Sequence, residues 1–238
     1  MRLDNYLVNQ GLVSTRSQAD NYIKLGKVTV NNNIITKSSH NIAKNAVVKV
    51  TSSKRYVSRG GFKLESVSDK LKLDFTSKTV LDVGSSTGGF SDYALQHGAS
   101  KIIAVDVGTD QMDKQLRLNP KIELHEQTDI RHIDNLSTKV DYCLIDVSFI
   151  SIKLVLRHLR TLIGEDCMII AMVKPQFEAE NPKDKNKGVI KNENIRRAVL
   201  KDFEQYAVKD YKIINKSDSE ITGPKGNVER FYLLRPLI

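Results

Sequence analysis

The stretch LDVGSSTGGF, residues 81–90, joins an apolar, β-branched run to the start of an amphipathic one. Gly84 permits a tight turn after a strand, and Gly88 and Gly89 let the backbone approach a ligand closely as a helix begins. The spacing is neither the G-x-G-x-x-G of dinucleotide enzymes nor a P-loop, which needs GK[ST]. Outward from this turn the pattern alternates. Strands are predicted at 79–83, 101–105, 121–124, 141–146, 167–173, 211–215 and 228–235, and helices at 61–72, 88–97, 150–162 and 192–208. Such alternation predicts an α/β fold with a mainly parallel sheet of about seven strands. The last two strands have no helix between them, so one of them should run antiparallel.

Four polar residues stand at the edges of these elements. Lys63 lies in YVSRGGFKLE at the head of a helix, Asp146 ends YCLIDVSF, Lys174 ends CMIIAMVKPQF, and Glu229 begins VERFYLLR. Singly, each is what a solvated strand edge would carry. Jointly they matter, because charge at the end of a buried strand is costly unless paired. Ligand chemistry in open α/β sheets collects at the carboxyl ends of the strands. Asp106 ends another strand, KIIAVD, where an acid would bond the ribose hydroxyls of a nucleoside cofactor.

The chain has 238 residues and a net charge of +9, unevenly spread. Residues 1–60 hold ten Lys and Arg against two Asp, so nearly all the excess positive charge is in the first quarter. A basic module beside a neutral domain suggests a polyanion partner, nucleic acid by default. Cys143 and Cys167 sit in apolar strands and read as free buried thiols. MRLDNYLVNQ lacks the apolar core of a signal peptide, and Cys167–Val173 is far short of the roughly 20 residues that span a bilayer. A cytoplasmic protein without stable membrane association is expected. The five His show no ligand spacing, so no metal is expected.

Residues 1–50 read as a small α/β module. Leu3, Tyr6 and Leu7 have helical spacing up to Gly11; Ser14 can cap a second helix that Gly26 ends; KVTVNNNIIT reads as a hairpin; AVVKV, residues 46–50, is a third strand. Residues 51–60 form the linker and 61–238 the larger domain. The charged segment 178–192 follows the Lys174 strand and could act as a lid.

The spacing D-x-G-x-x-x-G-G at Asp82–Gly89 resembles motif one of the class I S-adenosylmethionine-dependent methyltransferases, whose sheet is Rossmann-like. That resemblance implies S-adenosylmethionine as cofactor, held by Asp82, Gly84, Ser85, Gly88, Gly89 and Phe90, by Asp106 and Val107, by Asp129 and Ile130 in QTDIRHI, and by Asp146. Lys63, Asp146, Lys174 and Glu229 resemble the catalytic Lys-Asp-Lys-Glu tetrad of FtsJ-type ribose 2′-O-methyltransferases. SRGGFKL, IDVSFIS, VKPQFE and GPKGNVE resemble the TlyA family of ribosomal RNA methyltransferases, often labelled hemolysins. RLDNYLVNQGLVSTRSQADNYIKLGKVTVNN resembles the small RNA-binding domain named after ribosomal protein S-four. It implies RNA contacts from Arg16, Lys24, Lys27 and Arg2, with Arg55 and Arg59 of the linker beside them. Tyr56 departs from the Trp often found at that linker position.

The resemblance implies methyl transfer to a ribose 2′-hydroxyl of ribosomal RNA, with RNA or ribosomal subunits as partner. Three other readings compete. A non-catalytic RNA-binding factor would need neither tetrad nor cofactor loop. A membrane-active hemolysin would need an apolar or amphipathic anchor. A nicotinamide dehydrogenase would need different glycine spacing.

Overall fold

Short apolar repeats and paired asparagines shape the first part of the chain. The computed structural model describes residues 1–13, 16–24, 26–43, 45–50, 56–179, 188–190, 192–223 and 226–237. The chain divides into two compact units, residues 1–59 and 60–238. In the first, helices α1 (Leu3–Asn9) and α2 (Arg16–Lys24) pack with strands β1 (Val28–Val30), β2 (Asn33–Ile34) and β3 (Val48–Val50), which form an antiparallel sheet in the order β2-β1-β3. Leu3, Leu7, Ala19, Ile23 and Val28 are wholly buried between them. Asn31 and Asn32 have φ of 51° and 65°, the left-handed pair that a tight two-residue hairpin needs. The Asn31 side chain also accepts from the Val47 amide at 2.9 Å, tying the hairpin tip to the approach to β3. Ser14, the expected cap of α2, lies outside the described residues, as do residues 51–55 of the expected linker and most of the segment 178–192.

The second unit holds α3 (Arg59–Leu71, counted from the last residue of the first unit), β4 (Thr79–Val83), α4 (Gly89–Gln96), β5 (Lys101–Val105), α5 (Lys114–Arg117), β6 (Ile122–His125), β7 (Tyr142–Ile145), α6 (Ile152–Leu162), β8 (Met168–Val173), α7 (Pro175–Glu178), α8 (Glu193–Ala207), β9 (Tyr211–Asp218) and β10 (Arg230–Pro236). The seven strands lie in the order β6-β5-β4-β7-β8-β10-β9. β4 to β8 are parallel, whereas β10 runs antiparallel to both β8 and β9. Period-two alternation buries both sheet faces. Leu81, Val83, Ile145 and Ala171 face Val155, Leu156 and Leu159 of α6 and Leu200 and Phe203 of α8 in one cluster. From the opposite direction Phe90 of α4 meets Phe231 of β10 at 6.0 Å between ring centres.

Two features of this topology bring polar side chains together. The strand order reverses between β4 and β7, so a crevice opens beyond their carboxyl ends, where Gly84 and Asp146 lie. Because β10 is antiparallel, its first residue, Arg230, pairs with Val173 at the end of β8. Glu229 thereby enters beside the end of the Lys174 strand, although 55 positions separate them in the chain.

Asp82 couples β4 to α4. The helix begins at Gly88, which has no side chain to cap it. Asp82 replaces that cap from the neighbouring strand: its Oδ2 accepts from the Ser91 amide at 3.0 Å and the Ser91 hydroxyl at 2.6 Å. The carboxyl is 1% exposed, and its Oδ1 has no protein partner among the described residues. Burial pushes it up to about 7; the nearby Asp146 and Asp106 charges add to that, and the Ser91 bonds oppose it. A carboxyl raised in this way loses folded-state advantage as pH climbs from its unfolded value, about 3.9, and the loss levels off above its folded value. The Asp82→Asn protein should therefore gain stability relative to wild type between about pH 4 and 7, by on the order of 2–4 kcal/mol, with a constant difference above. Chemical denaturation at intervals across that range measures it; a difference independent of pH would show that Asp82 stays ionised.

Candidate active site

Two ion pairs stand at the carboxyl ends of the strands. Lys63, in the second turn of α3, places its Nζ 2.5 Å from Glu229 Oε2, with side chains only 8% and 2% exposed. Gly223 packs its backbone so close to the same carboxylate that a Cβ there would lie 2.8 Å from Glu229 Oε1. Lys174 Nζ lies 2.5 Å from Asp146 Oδ1 and donates to Ser148 Oγ at 2.8 Å. This second pair is more open, at 11% and 24% side-chain exposure. Each lysine thus has its own carboxylate, which answers the cost of holding charge away from water. The four residues expected from the sequence form two matched pairs, joined by the β8–β10 register.

A cavity of about 350 Å³ opens beside Asp146, lined by Gly84, Ser86, Asp106, Val107, Gln111, Thr128, Asp129, Ile130, Ser148 and Phe149 among others. That volume suits one small organic ligand. Gly84, at φ 83°, makes the turn possible: a Cβ would meet the Asp146 carbonyl oxygen at 2.7 Å. The close approach brings the β4 turn, which shapes the cavity, against the residue that pairs with Lys174. Asp106 is held in place by the amides of Ser86, at 2.8 Å, and Gly108, at 2.7 Å. Each of its oxygens keeps a further lone pair for a hydroxyl donor. Asp129 is clasped by the Arg131 guanidinium, which holds its carboxyl down at about 2. Val107 is 72% exposed, an apolar wall for a flat ring.

Of the cofactor residues expected from the sequence, Gly84, Asp106, Val107, Asp129, Ile130 and Asp146 line this cavity. Asp82, Ser85, Gly88, Gly89 and Phe90 do not: Asp82 and Phe90 face the interior, and Ser85 is buried with a hydroxyl that has no hydrogen-bond partner among the described residues. Ser148 and Phe149 were given no role, although both lie in the string IDVSFIS, because nothing in their spacing marks them as cavity wall. Glu178 was also missed, since it opens a charged stretch that reads as loop. It is 7% exposed, accepts from the Ile152 amide at 2.8 Å and the Ser151 hydroxyl at 2.5 Å, and so ties the β8 exit to the start of α6.

In the first unit, two expected RNA contacts carry a structural duty. Asp4, 2% exposed, accepts from Arg2 Nε and Nη2 at 3.0 and 2.7 Å and from Arg16 Nε at 3.1 Å. The Arg2 guanidinium holds that carboxyl down at about 2. The arginine side chains remain 43% and 62% exposed, so both guanidinium groups still reach solvent. Lys24 pairs with Asp20 at 2.7 Å. Lys27 and Arg59 lie among the described residues, whereas Arg55 lies outside them. Among the described residues, no three or more His, Cys, Asp or Glu side chains gather to hold a metal, and no helix is long and apolar enough to cross a membrane.

Residues 56–235 match the FtsJ-like methyltransferase family and residues 1–48 the S4 domain. The chain is 34% identical to the 16S/23S rRNA (cytidine-2′-O)-methyltransferase TlyA of Mycobacterium tuberculosis, over 98% of this chain and 89% of that one. It is 33% identical to Hemolysin A of Brachyspira hyodysenteriae, over 96% and 97% respectively. A solved structure from Streptococcus thermophilus, bearing a hemolysin label, superposes with a TM-score of 0.76 at 33% identity, covering 99% of this chain and 88% of that one. With this coverage, and with a cavity at the reversal of strand order whose wall includes Asp146, the partner of Lys174, the chain belongs to the FtsJ-like methyltransferase family.

Proposed function

We propose that this protein transfers a methyl group from S-adenosylmethionine to a ribose 2′-hydroxyl of ribosomal RNA; its Mycobacterium tuberculosis relative is named as an rRNA (cytidine-2′-O)-methyltransferase. The observation that carries the reading is Lys174, held between Asp146 and Ser148, two residues of the cavity wall. Asp106 would bind the cofactor ribose, Asp129 and the Val107 and Ile130 side chains the base, and the turn at Gly84 the remainder. The bound cofactor supplies an electrophilic methyl carbon. The ribose hydroxyl is the poor partner, and the protein must orient and activate it. Lys174 would polarise that hydroxyl or, as the neutral amine, accept the proton it loses while the methyl carbon parts from the cofactor sulfur and bonds the oxygen. Asp146 orients Lys174, and the Lys63–Glu229 pair adds a second cation whose charge is offset on the spot. The basic first unit supplies affinity through phosphate contacts.

The decisive experiment is transfer of labelled methyl to ribosomal subunits from cells lacking this protein. Wild type should label the RNA, and Lys174→Ala should label it at least about 100-fold more slowly while binding the subunit nearly as well. Loss of binding in that variant would overturn the role given to Lys174. No label from wild type, with cofactor binding demonstrated by calorimetry, would favour an RNA-binding factor without transfer activity.

Affinity for the subunit should fall at least about tenfold between roughly 50 and 200 mM salt. Equilibrium binding at several salt concentrations checks it. A flat response would remove the phosphate-based grip.

A further inference from the structure

Glu229 is held by more than Lys63, and the other contacts come from a part of the chain with no place in the reaction described above. Asn227, 5% exposed, lies two residues before Glu229. Its Oδ1 accepts from the Ile190 amide at 2.9 Å and its Nδ2 donates to the Gly188 carbonyl at 2.8 Å. A carboxamide carries both a donor and an acceptor, so one side chain can bridge a passing backbone as a strand would. Arg196, in the first turn of α8 and 6% exposed, donates from Nε to the Val228 carbonyl at 3.2 Å. Its Nη2 reaches Asp218 Oδ1 at 2.5 Å, the same oxygen that accepts from Arg230 Nε at 2.6 Å.

Residues 227, 228 and 230 are therefore each tied, directly or through Asp218, to other parts of the unit. The Glu229 carbonyl itself accepts from the Ser219 amide at 2.9 Å. These bonds fix the backbone that carries the carboxylate. A buried ion pair repays its desolvation only if its geometry is good. Freedom of even an ångström at residues 227–228 would let Glu229 leave Lys63 unpaired.

We infer that residues 188–190 and 192–196 act as a strap that sets Glu229 against Lys63, with Asn227 and Arg196 as its fastenings. Both are positioning residues: they act through Glu229 and touch no substrate. The inference rests on the reaction proposed above and on Glu229 having a part in it.

A double-mutant cycle tests it with the full-length protein, read as single-turnover methyl transfer to ribosomal subunits lacking the modification. Asn227→Ala should lower the rate about tenfold, with KM for the cofactor and affinity for the subunit changed by less than about threefold. In a Glu229→Gln background the same substitution should have no further effect, because the group it positions is already lost. An equal tenfold fall in both backgrounds would overturn the inference and leave a structural role for Asn227. A change confined to KM would overturn it as well. If Glu229→Gln itself leaves the rate unaltered, the role of Glu229 fails and the inference falls with it, a result distinct from failure of coupling. Should Asn227→Ala not fold, Arg196→Lys takes its place in the cycle. It keeps a cation beside Asp218 and lacks the Nε donor to Val228, and the same outcomes decide.

Discussion

A lysine ammonium with 8% exposure and a carboxylate with 2% can remain charged only against each other, and Lys63 and Glu229 meet that condition at 2.5 Å. The pair fastens the first helix of the larger unit to its last strand. Removing either partner would strand the other in a poorly hydrated site. The antiparallel course of β10 follows the same constraint, since only an entry from this side brings Glu229 to the end of the Lys174 strand. The second pair, Lys174 with Asp146, is more open and borders the cavity. One pair is thus built into the packing and the other is available to a substrate.

The cavity and the Lys174–Asp146 pair share a turn. Gly84 shapes the cavity, and the atoms it lies closest to belong to Asp146, the partner of Lys174. Any side chain at position 84 would press on the pair that the proposed reaction uses. Asp82 holds the start of α4 from beneath, so the loop between β4 and α4 is fixed at both ends by strand residues. The helix cap, the glycine turn and the ion pair are consequences of one geometry: two parallel strands meeting where the sheet order reverses.

The alternation of apolar runs was legible because buried parallel strands read as continuous β-branched stretches. It placed β4, β5, β7 and β8 within a residue or two, and the missing crossover helix foretold an antiparallel strand. That Lys63, Asp146, Lys174 and Glu229 stand at the ends of elements was legible from the strand pattern, whereas their division into two ion pairs was not. What stayed hidden were contacts with no local period. Asn227 and Arg196 meet residues 228 and 188–190 across more than thirty positions of chain. Glu178 reads as part of a charged loop, yet it caps a helix that begins 26 positions earlier. The double duty of Arg2 and Arg16 was equally invisible, because Asp4 looks like an ordinary helix-start acid until its burial is known. Short α5 and α7 have too few residues to show a helical repeat.

The position of β10 in the sheet has a consequence for biosynthesis. It lies between β8 and β9, so β9 has no neighbour in the sheet until β10 has been made. The S4 match spans residues 1–48, whose own core does not draw on the later sheet. As the nascent chain leaves the ribosome, the S4 fold can form first. The carboxylate that completes the buried ion pair is translated after the other six strands of its sheet. Any chain cut short before Glu229 would retain the S4 module and lack both β10 and half of that pair.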